Sequence, residues 1–187
     1  YDFLDAVPSV DVVYLDIAKA FDKVPHQKLR KKLEAIGIEG KLFEWIGGWL
    51  LDRRQRVAIN GMKSKWISVT SGVPQGSVLG PTLFLVYIND LDDGIKSRIY
   101  KFADDTKLCR AIKTEEDAEV LRDDLKKLYK WSQDWQMLFN VEKCSVMHMG
   151  KRNQKCRYEM NGTTLKETTE ERDLGILVHY SAKPSIQ

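Results

Sequence analysis

The chain has 187 residues, 43% of them hydrophobic, and a formal net charge of +3. That length and apolar content suffice for one sizeable core and exclude a disordered polyanion or polycation. The longest apolar run, "VLGPTLFLVYI", is too short to span a bilayer and is interrupted by proline, which excludes a membrane span.

Three cysteines, Cys109, Cys144 and Cys156, form no C-x-x-C pair, so they read as reduced thiols of an intracellular protein. The start, "YDFLDAVPSV", carries no signal peptide and no initiator methionine, and the chain reads as a piece of a longer protein. Basic clusters occur at "KLRKKL", "RRQR" and "KRNQKCR", and acid concentrates in "TEEDAEVLRDD". Clusters of this size are usually solvated faces, and charge alone does not make them phosphate sites.

In chain order, "VDVVYLD" alternates Val12, Tyr14 and Asp16 against Val13 and Leu15, predicting a strand that ends at Asp16. Leu29, Leu33 and Ile36 keep helical spacing up to Gly37. Leu42, Trp45, Ile46 and Trp49 repeat it in a second helix. "RVAINGMKSKWISV" sets Asn60-Gly61 between two β-rich runs, a hairpin signal. "SGVPQGSVLGP" is a constrained loop, with a helix expected through "TLFLVYIND". "RIYKFADDTKLCRAI" reads as two strands with Asp104 and Asp105 at the turn. Thr114 and Asp117 open a capping box ahead of a long helix whose buried face is Ala118, Leu121, Leu125, Leu128 and Trp135. "CSVMHM" is a strand, "YEMNGTTL" a second Asn-Gly hairpin and "LGILV" a final strand. Helices and hairpins mix without β-α alternation, so the expected class is α+β, in one domain over 1–187.

An aspartate doublet at a turn is by itself an ordinary turn. Asp16 changes that, because it also ends a predicted strand. Three carboxylates at the edges of one antiparallel sheet can converge, and they repel unless a cation compensates them. Oxygen ligands suit Mg²⁺, and two such ions about 4 Å apart can drive an in-line phosphoryl displacement. On these residues alone the chemistry is allowed and not required.

"VVYLDIAKAFDKVPH", "SGVPQGSVLGPTLF", "YKFADDTKL" and "FNVEKCSVMHMG" occur in this order. Together they resemble the palm of a reverse transcriptase from a non-LTR (LINE-type) retrotransposon, from about residue 9 to about residue 178. The resemblance implies RNA-templated DNA synthesis by two Mg²⁺ ions, with Mn²⁺ as a substitute. It implies an RNA template, a DNA primer, deoxynucleoside triphosphates and the rest of a retrotransposon polyprotein as partners, no membrane, and a nuclear and cytoplasmic location.

Carried over by position, Asp16 matches the first metal-binding acid, and Asp104 and Asp105 the paired acids of the catalytic hairpin, Asp104 the stronger ligand. Phe21 falls where the family selects against a ribonucleotide, since a ring there fills the space of a 2′-hydroxyl. It also reads as a core aromatic, and both readings can hold. Gln75 matches the residue beside the incoming nucleotide and template, with Gly72 and Gly76 allowing close backbone approach. Lys143 falls near the leaving pyrophosphate, where a cation neutralises charge or donates a proton. "ERDLGILV" resembles the hairpin that holds the primer end, with His179 where the family often has an acid. Asp22 reads as structural, and His26, His148 and His179 as non-catalytic.

Only fifteen residues precede Asp16 and the chain ends at Gln187, so the expectation is a palm-centred piece with fingers and thumb largely missing, weak in primer extension alone. The competing readings are a catalytically silent remnant or domesticated nucleic-acid-binding module, and another palm enzyme such as a nucleotidyl cyclase or DNA-templated polymerase. "SGVPQGSVLGP" disfavours the last two, because that block resembles reverse transcriptases.

Overall fold

The computed structural model describes residues 9–181. The elements run β1 (Val10–Leu15), α1 (Ala20–Lys23), α2 (His26–Ala35) and α3 (Gly40–Leu50). Four short strands follow: β2 (Arg54–Gln55), β3 (Ala58–Ile59), β4 (Met62–Lys63) and β5 (Ile67–Ser68). Then come α4 (Leu79–Tyr87), β6 (Arg98–Phe102), β7 (Asp105–Ala111), α5 (Glu115–Trp135) and β8 (Ser145–Met149). The last strands are β9 (Glu159–Met160), β10 (Thr163–Thr164), β11 (Lys166–Thr168), β12 (Glu170–Asp173) and β13 (Ile176–His179). The class is α+β, as expected. By contact the described residues divide into two compact units, one holding β1, residues 91–134 and residues 138–181, the other residues 19–90 with 135–137.

The first unit is built on a five-stranded sheet in the order β11-β8-β1-β7-β6. All its neighbours are antiparallel except β11 and β8. β1 lies in the middle; Val13 and Leu15 are buried while Tyr14 and Asp16 are half-buried, but Val12, on the face of Tyr14, is buried as well. The face of Val13 also carries Asp11, which is fully buried. His148 Nδ1 meets its Oδ1 at 2.7 Å, Asn153 Nδ2 donates to the same oxygen at 2.7 Å, and the Tyr158 hydroxyl donates to Oδ2 at 2.5 Å. A buried carboxylate persists only when its oxygens are bonded in this way. Burial, and then the bond to Asp11, push the Tyr158 phenol well above the usual tyrosine range.

One limb of the predicted capping box forms at α5: Asp117 Oδ2 accepts the Thr114 amide at 3.3 Å, and also that of Lys113 at 3.0 Å. Ala118, Leu121, Leu125 and Leu128 are buried as the spacing required, and Trp135 is half-buried. The same face holds Asp124, fully buried, which accepts the amide of Ser97 at 2.7 Å and that of Lys96 at 3.1 Å. Both Asn-Gly signals form two-residue turns with positive φ at both positions, Asn60-Gly61 in the second unit and Asn161-Gly162 in this one. A third turn of this kind, Leu174-Gly175, joins β12 to β13 in the "ERDLGILV" hairpin.

In the second unit, α2 buries Leu29 and Leu33 and packs against α3 and α4. Lys32, also buried, pairs with Asp90 and lies 3.6 Å from the Trp135 ring centroid, a cation held by a carboxylate and an aromatic face. Two expectations are corrected here. Ile36 caps α2 and is exposed, and α3 buries Phe43, Ile46, Gly47 and Leu50 rather than Leu42 and Trp45, both more than half exposed. The helix is apolar nearly all round, so spacing alone admits two stripes, and the packing against α2 selects the other one. α4 likewise begins at Leu79, before "TLFLVYIND", because Ser77 Oγ accepts the Gly80 amide at 2.9 Å and Pro81 sits in a first turn that needs no amide there. Among the described residues no helix is long and apolar enough to cross a membrane, and the three cysteines are unpaired.

Candidate active site

β1 and β7 pair so that Leu15 faces Thr106. The ladder ends there, and the next residues, Asp16 and Asp105, both line one cleft. Asp105 opens β7 after a two-residue turn, Ala103–Asp104, that returns from β6, where Phe102 pairs with Asp105. Ala103 adopts φ +52, a left-handed conformation that a residue with a Cβ adopts at a cost of about 1–2 kcal/mol. Such strained turns concentrate at functional sites.

Beside this turn lies a cleft of about 350 Å³, lined by Asp16, Asp105 and Lys143 together with Glu171, Asp173 and Tyr14. Lys143 Nζ stands 4.0 Å from Asp16 Oδ2. The lysine is placed by a turn in which the Asn140 amide donates to the Asp16 carbonyl at 2.8 Å and the Lys143 amide to the Asn140 carbonyl at 2.9 Å. Glu171 and Asp173 come from β12, two residues apart and so on one face, and the sequence reading did not include them. Asp173 pairs with Lys107, and Glu171 accepts the Ser145 hydroxyl at 2.6 Å.

The electrostatics are those of crowded acid. Burial, then Asp104, Asp173 and Asp16 in turn, raise the Asp105 carboxyl above the usual aspartate range. Burial and then Asp173 push the Tyr14 phenol up to about 12. The donor chemistry fits a hard divalent cation, since the facing groups are carboxylates whose repulsion such a cation relieves. Among the described residues, however, no three His, Cys, Asp or Glu side chains stand together as a ligand cluster. Asp104 lies in the turn, adjoins Asp105 in charge, and does not line the cleft.

Phe21, Gly72, Gln75 and Gly76 lie in the second unit. Phe21 stacks on Phe84 with centroids 4.7 Å apart, and its carbonyl accepts the Val73 amide at 2.8 Å. Gln75 is exposed in the turn Pro74–Ser77, with Gly76 at φ +78. Gly72 has φ +85, and a Cβ there would meet the Asp22 carbonyl oxygen at 2.6 Å. Its close approach is therefore to the backbone of α1. His26 Nε2 and Arg53 Nη2 hold the Gly72 carbonyl, at 2.8 and 2.7 Å. The Asp22 backbone carbonyl accepts the Ser71 hydroxyl at 2.9 Å.

The model of the reverse transcriptase (RNA-dependent DNA polymerase) family matches residues 9–175. The chain belongs to that family. Among relatives, this reverse transcriptase chain is 31% identical over 173 residues to the RNA-directed DNA polymerase from mobile element jockey of Drosophila melanogaster, covering 87% of this chain and 19% of that protein. It is 33% identical over 137 residues to the probable RNA-directed DNA polymerase from transposon X-element of the same species, covering 70% of this chain and 15% of the relative. The chain thus spans about a fifth or less of the curated relatives it matches. Among solved structures it is similar to telomerase from Candida tropicalis, determined with a TWJ fragment of telomeric RNA, at a TM-score of 0.63 and 10% identity over 98% of this chain and 31% of that one. Telomerase from Candida albicans gives 0.60 at 14% identity, over 96% of this chain and 33% of that one. These likenesses show a palm-like reverse transcriptase fold.

Proposed function

We propose that this chain is the palm of an RNA-templated DNA polymerase of a non-LTR retrotransposon, working by two-metal nucleotidyl transfer. The observation that supports the reading is that Asp16, Asp105 and Lys143 line one cleft beside the Ala103–Asp104 turn. In the reaction the primer 3′-hydroxyl gives up its proton to solvent, and its oxygen forms a bond to the α-phosphorus of a deoxynucleoside triphosphate. The bond from that phosphorus to the bridging oxygen breaks, and pyrophosphate leaves with the electron pair. Asp16, Asp104 and Asp105 would hold Mg²⁺, which supplies Lewis acidity at the reacting oxygens. Lys143 meets charge developing on the leaving group. On the family resemblance alone, Phe21 takes the role of selecting against a 2′-hydroxyl, and Gln75 with Gly76 that of meeting nucleotide and template. RNA template, DNA primer and the remainder of a retrotransposon polyprotein are the partners of this reading.

The test has two readouts. Titration of Mg²⁺ or Mn²⁺ should raise Tm for the wild type, as any ligand of the folded state does, and not for Asp16→Asn or Asp105→Asn. Single-nucleotide addition to a DNA primer on an RNA template, with enzyme in excess, should disappear in the same variants. Equal addition by wild type and both variants removes the carboxylates from the mechanism.

A further inference from the structure

No residue of β12 or β13 is buried, and Leu174 and Ile176 at the turn between them are 54% and 70% exposed. The hairpin forms a two-stranded sheet of its own, apart from the five-stranded one. A lone hairpin is marginal in water, so something other than apolar burial holds this one in place.

Polar side chains of β12 supply the hold. The registers set Tyr100, Lys107, Tyr14 and Ser145 in one row across β6, β7, β1 and β8. Cross-strand partners share a face, and Asp105, two residues before Lys107 on β7, shares it too. Glu171 and Asp173 reach this row on either side of Tyr14. Glu171 Oε1 accepts the Ser145 hydroxyl at 2.6 Å, and Asp173 Oδ2 pairs with Lys107. The Lys107 and Asp173 side chains are only 30% and 20% exposed, and Lys107 Nζ lies 5.6 Å from the Tyr100 ring centroid. A charge-assisted bond so sheltered holds better than an open surface pair. Leu174, next after Asp173, lines the cleft together with Asp16 and Asp105. The pair therefore sets how far the turn stands from the carboxylates.

We infer that Lys107 and Asp173, with Ser145 and Glu171 as a second hold, latch the β12–β13 hairpin over the cleft and are positioning residues for nucleotide addition. The catalytic half of this inference rests on the polymerase reading, whereas the latch itself needs neither metal nor nucleotide. Loss of either partner lets the turn lift, widening the cleft and misplacing what lies between the turn and Asp105. The competing account is a field effect, in which the two residues act on the cleft by charge alone. Because they differ in sign, the two accounts separate.

The experiment is hydrogen exchange of the amides that pair β12 with β13, in the whole chain with EDTA, for wild type, Asp173→Ala, Lys107→Met and the double variant. Each single variant should speed exchange in the hairpin about tenfold, the loss of one charge-assisted bond in a half-exposed place. The amides of β1 should exchange as in the wild type. The double variant should be no faster than either single one, since both break the same contact. Single-nucleotide addition, with enzyme in excess, should fall about tenfold in both single variants, because both displace the same turn. Hairpin exchange at the wild-type rate in both would overturn the inference. So would addition rates that move in opposite directions, as a field effect requires. Faster hairpin exchange in both variants, with no addition even by the wild type, would instead count against the polymerase reading alone.

Discussion

Lys143 Nζ stands 4.0 Å from Asp16 Oδ2, each side chain well exposed, at 68% and 41%. An ion pair this open contributes about 0–1 kcal/mol to stability. Lys143→Ala should therefore leave Tm nearly unchanged while lowering the rate of nucleotide addition by about 10²-fold, the loss typical of one electrostatic group at a developing charge. Lys143→Arg separates the two roles of the lysine. Recovery of rate by arginine assigns it charge neutralisation, whereas a rate that stays low and loses its alkaline limb in the pH profile assigns it proton donation.

Asp105 carries a carboxyl raised by burial and by three neighbouring acids. A raised folded-state pKa means that the native state holds its proton more tightly than the unfolded chain. Its stabilising contribution is complete below the unfolded aspartate range and is lost as pH rises through the folded value. Asp105→Asn should thus be more stable than the wild type at pH 7, on the order of 0.5 kcal/mol for partly exposed charges. The difference should shrink to nothing in thermal melts toward pH 3. A variant that gains stability while losing nucleotide addition marks the acids as kept for chemistry.

Gly72 and Gly76 separate by what surrounds them. Both have positive φ, but a Cβ at Gly72 meets the Asp22 carbonyl and one at Gly76 meets nothing within 4 Å. Gly72→Ala should lower stability by clearly more than about 1 kcal/mol, and Gly76→Ala by about that much. Comparable Tm losses would contradict the close packing of Gly72 on α1.

Asp124 is buried under two amides, from Lys96 and Ser97. Burial alone raises its carboxyl, but hydrogen bonds from Ser97 and Lys96 hold it below the usual range. Its contribution is present above the unfolded pKa and lost as pH falls through the folded one. Asp124→Ala should cost about 1–3 kcal/mol for each amide left unpaired, and should flatten the acid side of the stability profile. Chemical denaturation at pH 7 and pH 4 measures both.

What the sequence showed and hid follows from what each signal encodes. The strand before Asp16, the two Asn-Gly hairpins and the Asp117 limb of the capping box are local, written in alternation and turn chemistry, and each is present. The facing of α3 was not legible, because Leu42 and Phe43 are equally apolar and only the partner α2 distinguishes them. Nothing local marks Asp11 or Asp124 for burial, which depends on donors as distant as Tyr158 and Ser97. Glu171 and Asp173 carried a usable signal, two acids at period two in a strand of "ERDLGILV", but their arrival at the Asp16 cleft is a matter of tertiary placement.

The buried Asp11 has a consequence at the other end of its strand. Side chains on β1 alternate, so a slip of one residue against β7 and β8 would exchange the two faces, turning Asp16 inward and carrying Asp11 away from its donors. Apolar neighbours penalise such a slip weakly, because Val12 and Val13 are interchangeable in kind. A carboxylate bonded to His148, Asn153 and Tyr158 penalises it heavily. Asp11 thus acts as an alignment key, with no chemistry of its own, that fixes where Asp16 comes to rest.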